Sequence, residues 1–207
     1  MKNILITGGS RGIGKEIVKI CHKNNFKVHF TYSNNLVSAK KLLDELNSEN
    51  ISFSQCNLNN YDDIKKLFVN IKERFDFLDG LVNNAGISGG IVSIKDFSKK
   101  IIDEVFEINV KGLIHCCKES LPMMSKNKGA RGGSIVNISS MASTIGGRDG
   151  RTLYAASKGA IDVFTVGAAK ELAQDGIRVN AIRPGVIKTD LVSNELESRP
   201  ELEKHYT

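Results

Sequence analysis

Short runs of apolar and β-branched residues alternate along this chain with longer stretches of helical periodicity, and this alternation restricts the possible folds most. Six runs have the pattern of strands, at residues 2–7, 27–32, 51–56, 78–83, 134–139 and 177–182. Because these runs are nearly continuously apolar and a helical stretch follows almost every one, we expect a parallel sheet covered on both faces. The pattern predicts a doubly wound α/β fold.

The domain organisation follows from the length and from the order of these segments. A chain of 207 residues suits one domain with a substantial core, so we expect residues 1–207 to form a single domain. Between the fourth and fifth strands the pattern predicts two helices, at residues 98–109 and 110–126, and Pro122 should interrupt or end the second. No seventh strand pattern follows Asp190, and residues 191–207 could be part of a substrate lid or a disordered tail.

Composition argues against several functional classes. The net charge of +6 is modest, and its lysine pairs have the spacing of solvated helix faces, so we expect no nucleic-acid partner. The sequence contains neither an apolar run long enough for a membrane span nor the features of a signal peptide. Cys116 and Cys117 are adjacent, where a disulfide would be strained, and none of the four cysteines has CxxC metal spacing. We therefore expect a cytoplasmic protein without a metal or a membrane partner.

The first predicted strand runs into a glycine-rich turn, GGSRGIG, and then into a helical stretch. Gly8 and Gly12 would let the backbone turn sharply and bring its N–H groups to a pyrophosphate, and Gly14 would allow close packing of helix and strand. A tight turn without a ligand has the same pattern, but the position after the first strand favours a dinucleotide site. The loop residues expected to bind it are Gly8, Ser10, Arg11, Gly12, Ile13 and Gly14.

The end of the second predicted strand bears on the choice of dinucleotide. Tyr32, Ser33 and Asn34 stand where an acidic residue usually binds the adenine ribose of NAD. No carboxylate would repel a 2′-phosphate there, and Arg11, Ser33 and Asn34 could donate to it, so the site favours NADP(H). A solvated surface position for Arg11 is the alternative.

A possible catalytic group lies in the segment YAASK. Tyr154 and Lys158 are four residues apart, which places both on one face of a helix. An ammonium beside a phenol favours the phenolate, and so could adapt a tyrosine with an ordinary pKa of about 10 to proton transfer. Ser140, at the end of a strand, could hold a substrate oxygen. Each residue alone has an ordinary structural explanation, whereas their joint order favours a catalytic site.

Several motifs occur together in one order, and with them the chain resembles the short-chain dehydrogenase/reductase family as far as Asp190. They are TGGSRGIG (7–14), NNAG (83–86), Asn109 in FEINVKG, Ser140 in NISS, YAASK (154–158) and RPGVIKTD (183–190). The resemblance implies a Rossmann-type domain. It also implies an oxidoreductase, a homodimer or homotetramer, that transfers a hydride between NADP(H) and a small-molecule ketone or secondary alcohol.

The resemblance further implies a role for each catalytic residue. Tyr154 would be the general acid or base, and Lys158 would lower its pKa and bind the nicotinamide ribose. Ser140 would polarise the substrate oxygen. Asn109 would hold a relay water through a distortion of its helix.

Further cofactor contacts are implied in the same way. Asn84, Ala85 and Gly86 would lie along the cofactor, Asn83 would tie the central strands together, and Pro184, Gly185, Ile187 and Thr189 would cover the nicotinamide. Asn57 and Leu58 replace the family's usual aspartate near the adenine amino group. An asparagine oxygen can still accept that hydrogen bond.

The carboxyl-terminal part and the substrate leave alternatives open. Family members commonly continue through further lid helices and a last strand, so the chain is either shortened or naturally truncated. A catalytically impaired NADP(H)-binding sensor or scaffold is the alternative function. The substrate could be acyl-carrier-linked, with Lys126, Lys128 and Arg131 as a basic rim, or a sugar or other small alcohol, since Asp175 would repel an acidic carrier.

Overall fold

The computed structural model describes residues 1–187 and 189, and its centre is a parallel sheet. The strands are β1 (Asn3–Thr7), β2 (Lys27–Tyr32), β3 (Ile51–Gln55), β4 (Gly80–Asn83), β5 (Gly133–Ile138) and β6 (Ile177–Ile182). They lie in the order β3-β2-β1-β4-β5-β6, and every neighbouring pair is parallel. The predicted doubly wound α/β fold is confirmed.

Helices cover both faces of the sheet. They are α1 (Gly12–Lys23), α2 (Leu36–Leu46), α3 (Tyr61–Arg74), α4 (Lys99–Phe106), α5 (Leu113–Met124), α6 (Ala142–Ile145) and α7 (Thr152–Glu171). Helix α3 shows why such segments become helical: the Asn60 side chain accepts hydrogen bonds from its first turn, while acidic residues begin it and basic residues end it. None of the helices in the described part of the chain is long and apolar enough to cross a membrane.

Alternation along each strand divides the core into two layers. Leu5 packs with α3, α5 and α7 on one face, whereas its neighbour Ile6 packs with α1 and α2 on the other. Both side chains are completely buried. The strand order reverses at β1, because β2 and β3 lie on one side of it and β4, β5 and β6 lie on the other. At such a point the connections leave the sheet in opposite directions, and a crevice remains at the carboxyl ends of the strands.

The prediction for residues 98–126 requires a correction. The two helices do not separate at residues 109 and 110, because a π-helical turn, Glu107–Gly112, joins α4 to α5 without a break. Pro122 lies in the last turn of α5, which ends two residues later. The wider turn repositions a polar side chain, as described below, which a boundary between two helices would not do. The predicted lid or tail at residues 191–207 lies outside the described residues.

Candidate active site

A cleft of about 690 Å³ opens at the carboxyl ends of the strands, at the reversal of strand order. All the residues predicted for the site line this cleft except Gly14 and Asn109. Those two lie immediately behind its wall and support residues that line it. Within the described residues, no cluster of His, Cys, Asp and Glu could hold a metal ion.

The glycine loop has the backbone geometry expected of it. Gly8 and Gly12 have φ angles of +65° and +54°, which favour glycine over other residues. A Cβ on Gly14 would lie 2.3 Å from the carbonyl oxygen of Gly8, so only glycine fits there. Gly14 thus packs against the loop itself, not only against the strand as predicted.

The first turn of α1 is suited to an anion. Arg11 occupies the N-cap position, no side chain among the described residues caps the helix, and its first turn contains no acidic residue. The unpaired N–H groups and the positive end of the helix dipole therefore face the cleft. Arg11 itself lines the cleft at this point.

Asn84 and Thr7 fix the loop after β4 against the glycine loop. The Asn84 amide donates to the carbonyl oxygens of Thr7 and Gly8 at 3.0 and 2.9 Å. The Thr7 hydroxyl oxygen accepts from the backbone N–H groups of Asn84 and Ala85, both at 3.1 Å. The sequence analysis missed Thr7, although a threonine that ends a strand beside a glycine loop is a usable signal.

Asn83 joins the central strands as expected from the family resemblance. Its Nδ2 donates to Oδ1 of Asn137 on β5 at 2.9 Å. Nδ2 of Asn137 donates in turn to the Thr165 hydroxyl on α7 at 2.9 Å. These buried bonds connect β4 to the helix that carries Tyr154, and the last two partners were not predicted.

At the far end of the cleft, the side chains after β2 and β3 are neutral. Tyr32 is largely buried against the ring of Phe53, so its side chain belongs mainly to the core. Oδ1 of Asn57 accepts from the N–H of Asn59 at 3.1 Å and, as a carbonyl oxygen, keeps a second lone pair. Among the described lining residues the one carboxylate is Glu104, which α4 contributes.

Tyr154 and Lys158 lie on α7, with the Lys158 ammonium 5.7 Å from the centre of the tyrosine ring. Lys158 is 4% exposed, and its ammonium donates to the carbonyl oxygen of Ile138 at 2.7 Å. Burial lowers the pKa of Lys158 to about 8, although the nearby Asp162 carboxylate favours the charged form. Lys158 can therefore change its charge near neutral pH.

The surroundings of the Tyr154 hydroxyl act on its pKa in opposite directions. Burial raises the pKa of the Tyr154 phenol, while a hydrogen bond with Ser140 and the positive charge of Arg151 act in the opposite direction. The Lys158 ammonium is held at the backbone carbonyl of Ile138 beside the ring, and its lowering of the Tyr154 pKa stays a prediction. In this form Tyr154 is a protonated phenol at neutral pH, and Ser140 is its hydrogen-bonding partner.

Asn109 lies in the π-helical turn, so the helix distortion expected from the resemblance is present. Its side chain is fully buried, donates to the Ile87 carbonyl at 2.8 Å and the Ser157 hydroxyl at 3.0 Å, and accepts from the Ile87 N–H at 2.8 Å. A Cβ on Gly86 would lie 3.0 Å from Oδ1 of Asn109 and 3.5 Å from the Lys158 ammonium. Glycine at position 86 therefore keeps this corner of the cleft open.

The segment after β6 closes one side of the cleft, where Pro184, Gly185, Ile187 and Thr189 line it as predicted. The N–H of Met141 donates to the carbonyl oxygen of Pro184 at 3.0 Å and attaches the segment to the chain just after Ser140. Lys188 and Asp190 of the same motif lie outside the described residues.

A loop between α6 and α7 contributes three lining residues that the sequence analysis missed, Gly147, Arg148 and Arg151. An Arg151 guanidinium nitrogen donates to the carbonyl oxygen of Gly90 at 3.1 Å, and the Val92 N–H donates to Gly150 at 3.1 Å. The loop is thereby held against the segment that follows β4. No sequence pattern indicated this contact between distant segments.

The basic rim considered for an acyl carrier is placed elsewhere by the structure. Lys126, Lys128 and Arg131 precede β5, and Asp175 precedes β6, so all four lie at the amino ends of the strands. Asp175 accepts hydrogen bonds from Ser125 and Asn127. Since the cleft is at the opposite edge, neither the attraction nor the repulsion predicted for a carrier at the rim applies.

Comparison with known proteins gives consistent matches along the chain. A family model described as short chain dehydrogenase matches residues 2–200. The uncharacterized oxidoreductase YgfF of Escherichia coli K12 is 36% identical over 189 residues, which are 90% of this chain and 76% of that protein.

Two solved structures are also similar. A short chain dehydrogenase from Burkholderia cenocepacia in complex with NADP has a TM-score of 0.85 at 32% identity, covering 92% of this chain and 76% of that one. The 3-ketoacyl-(acyl-carrier-protein) reductase from Brucella melitensis, complexed with NADH, has a TM-score of 0.86 at 26% identity, covering 93% and 78%.

Proposed function

Because the chain belongs to the short-chain dehydrogenase family, we propose that it is an oxidoreductase that interconverts a ketone and a secondary alcohol with NADP(H). The observation that carries the proposal is the hydrogen-bonded pair Ser140 and Tyr154, with buried Lys158 beside it, in the cleft that begins at the glycine loop. The cleft therefore contains both a proton donor, Tyr154, and a site that suits a dinucleotide.

The residues of the cleft fit a dinucleotide. The uncapped first turn of α1 would hold the pyrophosphate, and the positive φ angles of Gly8 and Gly12 leave the approach free of side chains. The segment from Pro184 to Ile187 would cover the nicotinamide, and Lys158 would bind its ribose. The bound nicotinamide supplies or accepts the hydride at the carbonyl carbon.

The protein's own contribution is position and a proton. Ser140 would donate to the substrate carbonyl oxygen and orient it toward the Tyr154 hydroxyl. Tyr154 would give its proton to that oxygen during reduction, and its raised pKa keeps the proton in place until then. Lys158 would stabilise the phenolate left behind, and Asn109 would hold a water that returns a proton from solvent.

The preference for NADP(H) rests on the end of the cleft near β2. Ser33 and Asn34 line it, Arg11 lines the same cleft, and no carboxylate lines this end in the described residues. A 2′-phosphate would meet donors there instead of a negative charge. One similar structure contains NADP and another NADH, so the family alone does not select the cofactor.

The proposal includes a small-molecule substrate, a homo-oligomer and a cytoplasmic location. Val163 and Val166, both exposed on α7, support association with another subunit. All four cysteines are buried free thiols, which suits a reducing compartment. The named reductase among the similar structures acts on an acyl-carrier-linked ketone, and such a ketone is one member of the substrate class proposed here.

Titration with NADPH and NADH by isothermal calorimetry, followed by assays of NADPH oxidation with a panel of ketones and of NADP⁺ reduction with a panel of alcohols, tests the proposal. We expect tighter binding of NADPH and turnover of at least one ketone. Binding without turnover of any ketone or alcohol would favour the sensor or scaffold, and failure to bind either nucleotide would exclude both functions.

A further inference from the structure

An ion pair lies one helical turn beyond Lys158. Nε of Arg183 donates to Oδ2 of Asp162 at 2.8 Å. The Asp162 side chain is 12% exposed, whereas that of Arg183 is 47% exposed, so the carboxylate is the inner member. Asp162 follows Lys158 by four residues on α7 and therefore lies on the same face of the helix.

Asp162 is at the junction of three segments that build the cleft. It belongs to α7, Arg183 begins the segment that lines the cleft through Ile187, and Ser139 and Ser143 flank the site of Ser140. Burial alone would raise the pKa of Asp162, but the nearby hydroxyl of Ser143, the hydrogen bond and charge of Arg183, and the nearby hydroxyl of Ser139 lower it overall. The carboxylate is thus ionised at neutral pH.

The second carboxylate oxygen of Asp162 also indicates that this residue carries a fixed negative charge. Oδ1 of Asp162 is buried, and no group among the described residues donates to it. The nearby hydroxyls of Ser139 and Ser143 donate instead to the carbonyl oxygens of Lys158 and Ser140. A hydroxyl proton can rotate, so either serine can turn to the carboxylate. A buried carboxylate with adaptable donors maintains a fixed negative charge at this place.

We propose that the Asp162–Arg183 ion pair is a positioning device, which fastens the segment Arg183–Ile187 to the catalytic helix and sets a negative charge beside Lys158. The inference rests on the proposed function, because it assigns that segment to the nicotinamide and Lys158 to its ribose. Asp162 and Arg183 do not line the cleft, and they act through the residues that do.

Four groups set the charge around the Lys158 ammonium. Tyr154 and Asp162 face it from its own helix, Arg183 neutralises part of the Asp162 charge from the segment after β6, and Arg151 acts on the phenol. Asn109, from the π-helical turn, is neutral. Removal of Asp162 therefore disfavours the Lys158 cation, while removal of Arg183 favours it.

The attachment of the segment Arg183–Ile187 to α7 is tested with Asp162→Asn, Arg183→Gln and the double variant, with Glu45→Gln as the matched control. Glu45 forms an ion pair with Lys19 between α1 and α2, away from the cleft. We expect each single variant to raise the Kd for NADPH about fivefold, as a coupling of that size is ordinary between linked sites. The double variant should match the singles, since the same contact is lost once.

A measurement without nucleotide accompanies the titration. The Met141 N–H donates to Pro184, so its hydrogen exchange should quicken in both single variants and stay unchanged in Glu45→Gln. If hydrogen exchange at the Met141 N–H and the affinity for NADPH are both unchanged in the two single variants, the ion pair does not hold this segment to α7.

The charge effect is tested by the pH dependence of NADPH affinity. In the wild type, affinity should fall as pH rises through about 8, because the Lys158 cation is lost. This fall should move to lower pH in Asp162→Asn and to higher pH in Arg183→Gln. Shifts in one direction, or none, would overturn the electrostatic role and leave an ordinary structural contact. A wild type that binds no NADPH would instead refute the proposed function.

Discussion

Single atoms decide the chemistry of this site. Among the described residues, the Tyr154 hydroxyl forms a hydrogen bond with Ser140, and burial raises its pKa. Lys158 is the opposite case, with a pKa lowered to about 8 by burial of its charge. These two shifts are opposite in direction, so the Lys158 ammonium becomes a stronger acid than the Tyr154 phenol, although the two groups are almost equally acidic in water.

Replacement of Tyr154 by Phe removes only the hydroxyl that is assigned to proton transfer. We expect kcat for ketone reduction to fall by at least about 100-fold, with the Kd for NADPH within a factor of about two, since the ring remains. Steady-state assay and fluorescence titration of NADPH measure the two effects. Tyr61→Phe removes a half-buried hydroxyl that is bonded to Glu119, and serves as control. Retained turnover in Tyr154→Phe would remove this tyrosine from the mechanism.

Replacement of Arg11 by Ala tests the cofactor assignment. The guanidinium lines the cleft near the side chains after β2, so we expect the Kd for NADPH to rise about tenfold and that for NADH to change little. Calorimetric titration of both nucleotides provides the comparison, and Arg74→Ala, which changes an exposed arginine near Glu49, is the control. Equal losses for the two nucleotides would contradict a 2′-phosphate contact.

At the scale of elements, strand ends and one distorted helix bring the site together. The π-helical turn Glu107–Gly112 directs Asn109 at the backbone of Ile87, where two hydrogen bonds hold the loop after β4. A regular α-helix would distribute these side chains differently around its axis. The element between β4 and β5 is therefore part of the site, although Asn109 itself does not reach the cleft.

The pairing of β2 with β3 should make the fold sensitive to acid. Buried His29 lies between the hydroxyls of Ser52 and Ser54, and burial lowers its pKa from 6.5 to about 4. Because His29 is harder to protonate in the folded state than in the unfolded state, its contribution to stability is fully present above pH 6.5 and is lost as the pH falls toward 4. As the pH falls from 7 to 5, we expect the free energy of unfolding to decrease by about 2 kcal/mol because of this histidine.

Urea denaturation of the wild type and of His29→Gln at the two pH values measures this loss. The variant should lack that part of the pH dependence, while His22→Gln, which changes a half-buried histidine at the end of α1, should keep it. An equal pH dependence in wild type and His29→Gln would show that another group is responsible.

At the scale of the whole molecule, the nucleotide should act as a cross-link between the layers of the fold. The cleft is lined by segments from the glycine loop after β1 to the residues beyond β6, so a bound dinucleotide contacts both ends of the described chain. NADPH at 100 times its Kd should raise the unfolding free energy by about 2.7 kcal/mol.

For a domain of this size, that gain corresponds to a Tm increase of roughly 5–10 °C. Differential scanning calorimetry with equal concentrations of NADPH and NADH measures the effect, and NADPH should give the larger increase. A larger increase with NADH would reverse the proposed cofactor preference.

The sequence by itself determined the sheet, the order of its elements and the motif residues that build the cleft, because these depend on local periodicity and on motifs with fixed backbone requirements. Each of the six predicted strands formed within two residues of its predicted bounds. The tertiary structure alone decided the contacts between distant segments: Thr7 with Asn84, Arg151 with Gly90, and Asp162 with Arg183. It also decided the acidity of Tyr154, since burial depends on every segment packed around the ring. The four-residue spacing from Tyr154 placed Lys158 on the correct face of α7. Its ammonium, however, donates to the backbone carbonyl of Ile138 on β5, and no local sequence pattern encodes this contact.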